Sequence, residues 1–216
     1  MSIRERKARE KQIRRQTIID AAEKLFFQKG FENATMDAIA QESELSKGTL
    51  YLYFKNKTEL CSAIMGRGLQ TLLNMIINRE DNKLMGLNKL KKFVTTYEEF
   101  ARIHFQYHQV IMNFRFNRWK CDQTGDESIR SMELFGRINQ YIADIIREGI
   151  GDGSICREAD PMIISHIIWD NHTGLMPGQI INDNLTSTEK ELDYPHIIKF
   201  MFDIICSFLA GDTRMV

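Results

Sequence analysis

Residues 35–60, TMDAIAQESELSKGTLYLYFKNKTEL, constrain the chain more than any other stretch. Thr35 is an N-cap residue type, and Met36, Ile39 and Ala40 supply one apolar stripe for a short helix. Glu42-Ser43-Glu44 then breaks the pattern with neither a Pro nor a long linker. Ser46 is placed to cap a second short helix carrying Lys47, Gly48, Thr49, Leu50 and Tyr51. Two such helices joined by a tight turn have the layout of a helix-turn-helix, in which the start of the second helix meets base edges in the major groove. Leu50 faces inward in this reading and Phe54 closes the small core. Lys47, Gly48, Thr49 and Tyr51 are left outward, as a bare backbone, a hydroxyl, an amine and a phenol suited to base edges and phosphates. Asn56-Lys57 opens the next helix, where backbone N–H groups and a Lys suit one phosphate.

Together with Ile18 to Gly30, this stretch resembles the N-terminal DNA-binding domain of the tetracycline-repressor (TetR) family. The residues that carry the resemblance are IIDAAEKLFFQKGFENATMDAIA and SKGTLYLYFKNKTEL. The turn departs from the family's usual Ala-Gly-Val-Ser, with Ser43-Glu44-Leu45-Ser46 in its place; a left-handed Glu44 would cost of order 1 kcal/mol relative to Gly. The resemblance implies an all-α fold, with a three-helix helix-turn-helix domain over residues 1–57 and a helical ligand-binding and dimerisation domain over 58–216. It implies that Lys47, Gly48, Thr49 and Tyr51 read bases while Thr35, Tyr53 and Lys57 grip phosphates. It also implies a homodimer joined through the last two helices, a palindromic double-stranded DNA operator, and a small-molecule effector in the second domain that releases a repressor from DNA.

Charge distribution agrees with a DNA-binding end. The chain is neutral overall, yet residues 1–57 carry 12 Lys/Arg against 8 Asp/Glu, which leaves the remainder acidic. Residues 1–15 hold seven basic and two acidic side chains with little to bury, and are expected as a flexible arm or frayed helix start, either solvated or tracking phosphates. Ile18, Ala22, Leu25 and Phe26 then predict a first helix from about Lys11 to Gln28, stopped at Gly30. All three Pro lie after residue 160, which argues against a strand-and-turn fold.

A connecting helix is expected from Thr58 to about Asn78. Beyond it, the segment from Tyr97 to Trp119 is dense in aromatic residues and contains His104 and His108. Tyr97, His104, Phe105, His108, Phe114 and Trp119, with Trp169, His172 and Met176 further on, are the candidate ligand-binding residues, suited to a largely apolar or aromatic effector. The alternative is that these side chains only fill a helical core. His104 and His108 at i, i+4 could share a metal, but no carboxylate or Cys stands with them in a motif, so no metal is expected. GIGDGS at 149–154 follows no strand and lacks the phosphate-loop Lys; it reads as a helix stop.

The four cysteines are scattered without metal-ligand spacing. No secretory signal and no uninterrupted membrane-length apolar run is visible, so a cytoplasmic protein without membrane contact is expected. No GxSxG, HExxH, dinucleotide or CxxC signature points to an enzyme or a cofactor. The competing function is a helix-turn-helix interaction module acting through a protein partner.

Overall fold

The computed structural model describes residues 2–115, 125–182 and 194–211, apart from the side chains of residues 115, 172–182 and 194–198. Among the described residues the chain is all-α, with α1 (Ile3–Asn33), α2 (Met36–Glu42), α3 (Lys47–Tyr53), α4 (Lys57–Asn78), α5 (Gly86–Ile103), α6 (Phe105–Arg115), α7 (Asp126–Asp152), α8 (Pro161–Asn182) and α9 (Tyr194–Leu209). They form two compact units, Met1–Leu72 with Phe100–Leu134, and Leu73–Glu99 with Phe135–Val216. Compactness therefore divides the chain elsewhere than the functional boundary expected at residue 57. The first unit gathers most of α4, all of α6 and the start of α7 with α1–α3.

In the first unit, Ile18, Ile19, Ala22, Leu25 and Phe26 of α1 are buried with Ile39 and Ala40 of α2, Leu50 of α3 and Phe54. Three short-range devices set the angles between these helices. Thr35 Oγ1 accepts the Ala38 N–H at 3.1 Å and Ser46 Oγ accepts the Thr49 N–H at 3.1 Å, so both expected caps form. Between them the Ser43 hydroxyl donates back to Ile39 O at 2.8 Å, and Glu44 takes φ 55°. The left-handed turn thus falls where the sequence placed it, on a residue with a Cβ. Gly30, at φ 78°, ends the regular part of α1 as expected.

The start of α1 corrects the expectation of a flexible arm. Ser2 caps the helix by accepting from Glu5 N at 3.2 Å, and the Glu5 carboxylate accepts from Ser2 N at 2.7 Å. This reciprocal pair satisfies two N–H groups that a frayed end would leave to water, and the helix starts at Ile3.

α6 is held to α1 and α4 within the same unit. The Tyr107 hydroxyl donates to Glu23 at 2.9 Å, its ring meets Phe27 edge-on at 5.5 Å, and Arg67 of α4 reaches Glu23 at 3.0 Å and Gln16 at 2.7 Å. A Cβ on Gly68 would stand 2.9 Å from Tyr107 Cβ, so the missing side chain sets how closely α6 approaches α4. On the other side of α4, Ser62 shares a hydrogen bond with Ser128 at 2.8 Å, and Ser131 donates to Ser62 O at 2.7 Å. α4 is long and apolar enough to pass for a membrane span by length and composition, but Leu60, Ile64, Leu69 and Leu72 are at most 1% exposed in the protein core.

In the second unit, α5 and α7 meet through glycine. A Cβ on Gly86 would fall 2.2 Å from Gly149 N. Asp152 accepts the Gly86 N–H at 2.7 Å and Ser154 accepts that of Leu87 at 3.1 Å, so the GIGDGS segment ends α7 at Gly153 and caps the start of α5. Hydrogen bonds from Ser154 and Gly86 hold the Asp152 carboxyl below its ordinary value. α8 extends through Pro177 to Asn182, further than its apolar pattern suggested, and packs with α9.

Candidate nucleic-acid interface

The outward face of α3 follows from the one side chain it buries. Leu50 is fully buried, and 100° per residue places Gly48 and Leu52 within about 20° of the opposite direction, flanked by Thr49 and Tyr51. Leu52 is 84% exposed and Tyr51 44%. A Cβ on Gly48 would meet nothing closer than Ser46 Oγ at 4.0 Å, and its φ is not positive. Neither packing nor backbone conformation within the chain calls for glycine at this position. Its bareness is useful only to something approaching from outside.

Polar groups surround this face. Lys47, at the first turn, pairs with Asp37 of α2 at 2.6 Å, both side chains largely in solvent. That hydrogen bond raises the Lys47 pKa, so its ammonium is charged and can exchange one anionic partner for another. The Thr49 hydroxyl shares a hydrogen bond with Ser46 at 2.8 Å. Thr35 is exposed at the start of α2, and Tyr53 is half-buried at the end of α3.

Lys57 has a use the sequence did not suggest. Its ammonium donates to Phe31 O at 2.6 Å and Glu32 O at 3.1 Å, and sits 4.4 Å from the Phe31 ring centroid. It ties α4 to the segment following Gly30. The start of α4 is also partly self-satisfied, since Asn56 Oδ1 accepts from Glu59 N at 2.8 Å and Glu59 accepts from Lys55 N at 2.7 Å. Sequence reasoning missed Leu52. The available signal was its register, four residues after Gly48 and two after the buried Leu50.

The candidate ligand-binding residues divide between the units. Tyr97 and Trp169, each 1% exposed, come together in the second unit with ring centroids 5.3 Å apart, and Phe135 meets Trp169 at 5.1 Å. Asn139, one turn beyond Phe135, is 3% exposed. In the first unit His104 lies 5.6 Å from the Phe100 ring, His108 and Phe114 are buried, and Phe105 is 41% exposed. Burial lowers the His108 pKa to about 4, so its imidazole is neutral across the physiological range. Among the described residues no group of His, Cys, Asp and Glu is arranged to hold a metal ion. A shallow groove in the second unit, lined by Arg79, Glu80, Asp81, Lys92 and Tyr141, includes none of the candidates. Trp119 lies outside the described residues, as do the side chains of His172 and Met176.

Comparison with known proteins bears on the helix-turn-helix segment. The model of the bacterial regulatory proteins, tetR family, matches residues 18–64. Over 163 residues the chain is 29% identical to YhgD of Bacillus subtilis, an uncharacterized HTH-type transcriptional regulator, spanning 76% of this chain and 82% of that one. Residues 18–64 thus carry the TetR-type DNA-binding segment, and the similarity to an HTH-type regulator extends beyond it. Its fold is similar to that of the fatty acid degradation regulator FadR from Bacillus halodurans, with TM-score 0.65, 18% identity, and 93% and 96% of the two chains covered. It is also similar to AibR, solved with isovaleryl coenzyme A and operator DNA, at TM-score 0.61, 17% identity, and 91% and 98% coverage. The TetR match spans α2, α3, much of α1 and the start of α4, and stops before every candidate ligand-binding residue.

Proposed function

We propose that this protein is a homodimeric TetR-family repressor that reads a palindromic operator with α3 and is released by a small molecule bound in its C-terminal helices. The observation that carries the reading is the outward face of α3, where Leu52 projects 84% exposed beside the bare Gly48. A side chain on a helix leans toward the N-terminus, so Leu52 covers the space left open at Gly48. A thymine methyl fits that apolar notch, while Thr49, Tyr51 and Lys47 supply polar contacts on either side. Thr35 and Tyr53 contact phosphates, and Lys57 orders the start of α4 as well as adding charge.

Dimerisation is supported by an unpartnered apolar face on each of the last two helices. On α9, Phe200, Ile204 and Phe208 recur every four residues at 54%, 45% and 61% exposure; on α8, Ile163 and Ile167 are 60% and 39% exposed. Two copies joined there form a four-helix contact with two-fold symmetry, which a palindromic site matches. The aromatic cluster of Tyr97, Phe135 and Trp169 is the effector region we favour. Its rings pack against one another, so a flat apolar ligand must part them to enter. An effector that weakens DNA binding must, by linkage, bind the DNA-free form more tightly by the same factor. AibR provides a precedent in this fold for one protein taking both a coenzyme A ester and an operator.

The test is selection of genomic fragments by the purified protein at moderate salt, followed by replacement of each thymine in the recovered site by uracil. Loss of one methyl per half-site should weaken the wild type several-fold and leave Leu52→Ala unchanged. Tyr51→Ala should lose sequence preference with the dimer intact. The exposed Leu52 and Tyr51 would equally suit a protein partner, and recovery of no enriched fragment would favour that reading.

A further inference from the structure

We propose that residues 3–14 of α1 form a rigid rail for the phosphates of the duplex bound by α3, held along one face by Arg4, Lys7, Lys11 and Arg14. The proposal rests on the DNA-binding reading above and adds a second contact surface to it. Three observations carry it. The segment is a helix closed by the Ser2–Glu5 capping box, yet every residue from Ser2 to Arg14 is exposed. The packed part of α1 supplies the helical nucleus and the capping box closes the end, so the overhang stands as an ordered surface that the chain itself does not cover.

The second observation is register. On α1 the core is entered by Ile18, Ala22 and Leu25. Counting back along the same seam at three- and four-residue steps gives Arg14 and Arg15, then Lys11, Lys7 and Arg4. The face that is apolar where α1 lies on its own unit becomes basic where the helix overhangs it. Glu5 and Glu10 fall off this face, and Arg6, which pairs with Glu10 at 3.6 Å, also turns away with Arg9. Among the described residues no acidic side chain pairs with Arg4, Lys7, Lys11 or Arg14. An apolar surface does not complement this seam; a row of phosphates does. Charges along it recur about every 5 Å of helix axis, against a duplex that carries a charge every ~1.7 Å of its own axis.

The third observation joins the rail to the reading helix. Arg15, where the seam changes from basic to apolar, stands 5.5 Å from the Phe54 ring centroid and pairs with Glu127. Phe54 is the C-cap residue of α3. The overhang therefore leaves the unit beside the end of the DNA-reading element.

The test compares variants that remove equal charge from opposite sides of one helix. Full-length Lys7→Gln/Lys11→Gln, Arg6→Gln/Arg9→Gln and the charge-preserving helix breaker Ala8→Pro are titrated with two labelled duplexes, the selected site and a random sequence, from 50 to 300 mM salt. Circular dichroism and the urea midpoint establish that each variant is folded. The first variant should lower the slope of log affinity against log salt by about 1 to 2, and weaken both duplexes by roughly tenfold at moderate salt. Ala8→Pro should show a similar loss, and Arg6→Gln/Arg9→Gln a much smaller one. Equal effects from the two faces, or none from either, would overturn the rail while leaving the α3 reading in place. Binding of the basic face to anionic lipid vesicles, with DNA slopes unchanged, would overturn it in favour of a membrane surface. Failure of the wild type to bind either duplex would overturn the DNA-binding reading and the rail together.

Discussion

His108 shows how far one side chain can carry a pH dependence. Its folded pKa lies near 4, whereas in an unfolded chain the group titrates near 6.5. Between these values the unfolded state binds more protons. Stability contributed by the neutral, buried imidazole is therefore present above about pH 6.5 and is lost as pH falls toward 4, by something on the order of 3 kcal/mol. Urea midpoints measured from pH 7 to 4.5 should fall across this window, and His108→Leu should flatten the fall. Glu44 is a residue-scale defect of the opposite kind. Its left-handed backbone is the costly conformation that glycine adopts freely, so Glu44→Gly should raise stability by about 1 kcal/mol, read as a higher urea midpoint. If the midpoint drops, the turn is held by the Glu44 side chain and the strain argument fails.

Helices, unlike single side chains, act through whom they touch. α6 is bound to α1 by the Tyr107–Glu23 hydrogen bond and the Phe27 edge contact, and to α4 by the side chain missing at Gly68. Burial, with Glu23 beside it, pushes the Tyr107 hydroxyl up to about 12, so it remains a donor at any working pH. Gly68→Ala gains helix propensity of about 1 kcal/mol but forces Tyr107 aside, and a net loss of roughly 1 to 2 kcal/mol is expected from chemical denaturation. Such elements were legible in the sequence to different degrees. α2, α3 and α4 were readable because caps, apolar offsets and Gly30 agree locally. The first two turns of α1 were not, because apolar periodicity vanishes there; the Ser2–Glu5 box was the signal, and it lay in a stretch whose charge suggested disorder. The continuation of α8 beyond Pro177 was likewise hidden, since a Pro usually ends a helical pattern.

For the whole molecule, the exposed stripes of α8 and α9 make the oligomeric state the property most open to test. Ile204→Asp/Phe208→Asp places charge on an exposed face, where the monomer should tolerate it, but in the centre of the proposed contact. Sedimentation should then show a monomer with unchanged helicity, and binding to a full palindrome should fall to the level of a half-site. A dimer that survives would move the contact elsewhere. The candidate site was readable in the same uneven way. Residues flanking Leu50 could be named as candidates because the helix-turn-helix fixes their surroundings within a few residues, while the aliphatic Leu52 carries no polar signal of its own. Tyr97 and Trp169 were named separately, 72 residues apart, and only the folded chain brings their rings to 5.3 Å. The tie from Lys57 to Phe31 O depended on the return of the chain past Phe31, which no local pattern records.

Gly86 and Gly149 extend the matter from one molecule to its lineage. Cβ space at Gly86 is already taken by the backbone of residue 149, which no change of side chain at 149 would vacate, whereas a Cβ at Gly149 would meet the Ile155 side chain instead. A descendant with alanine at 86 must first have ended α7 differently or shifted α5. A side chain at the position of Gly86 in a distant relative would therefore report that the relative joins these two helices differently.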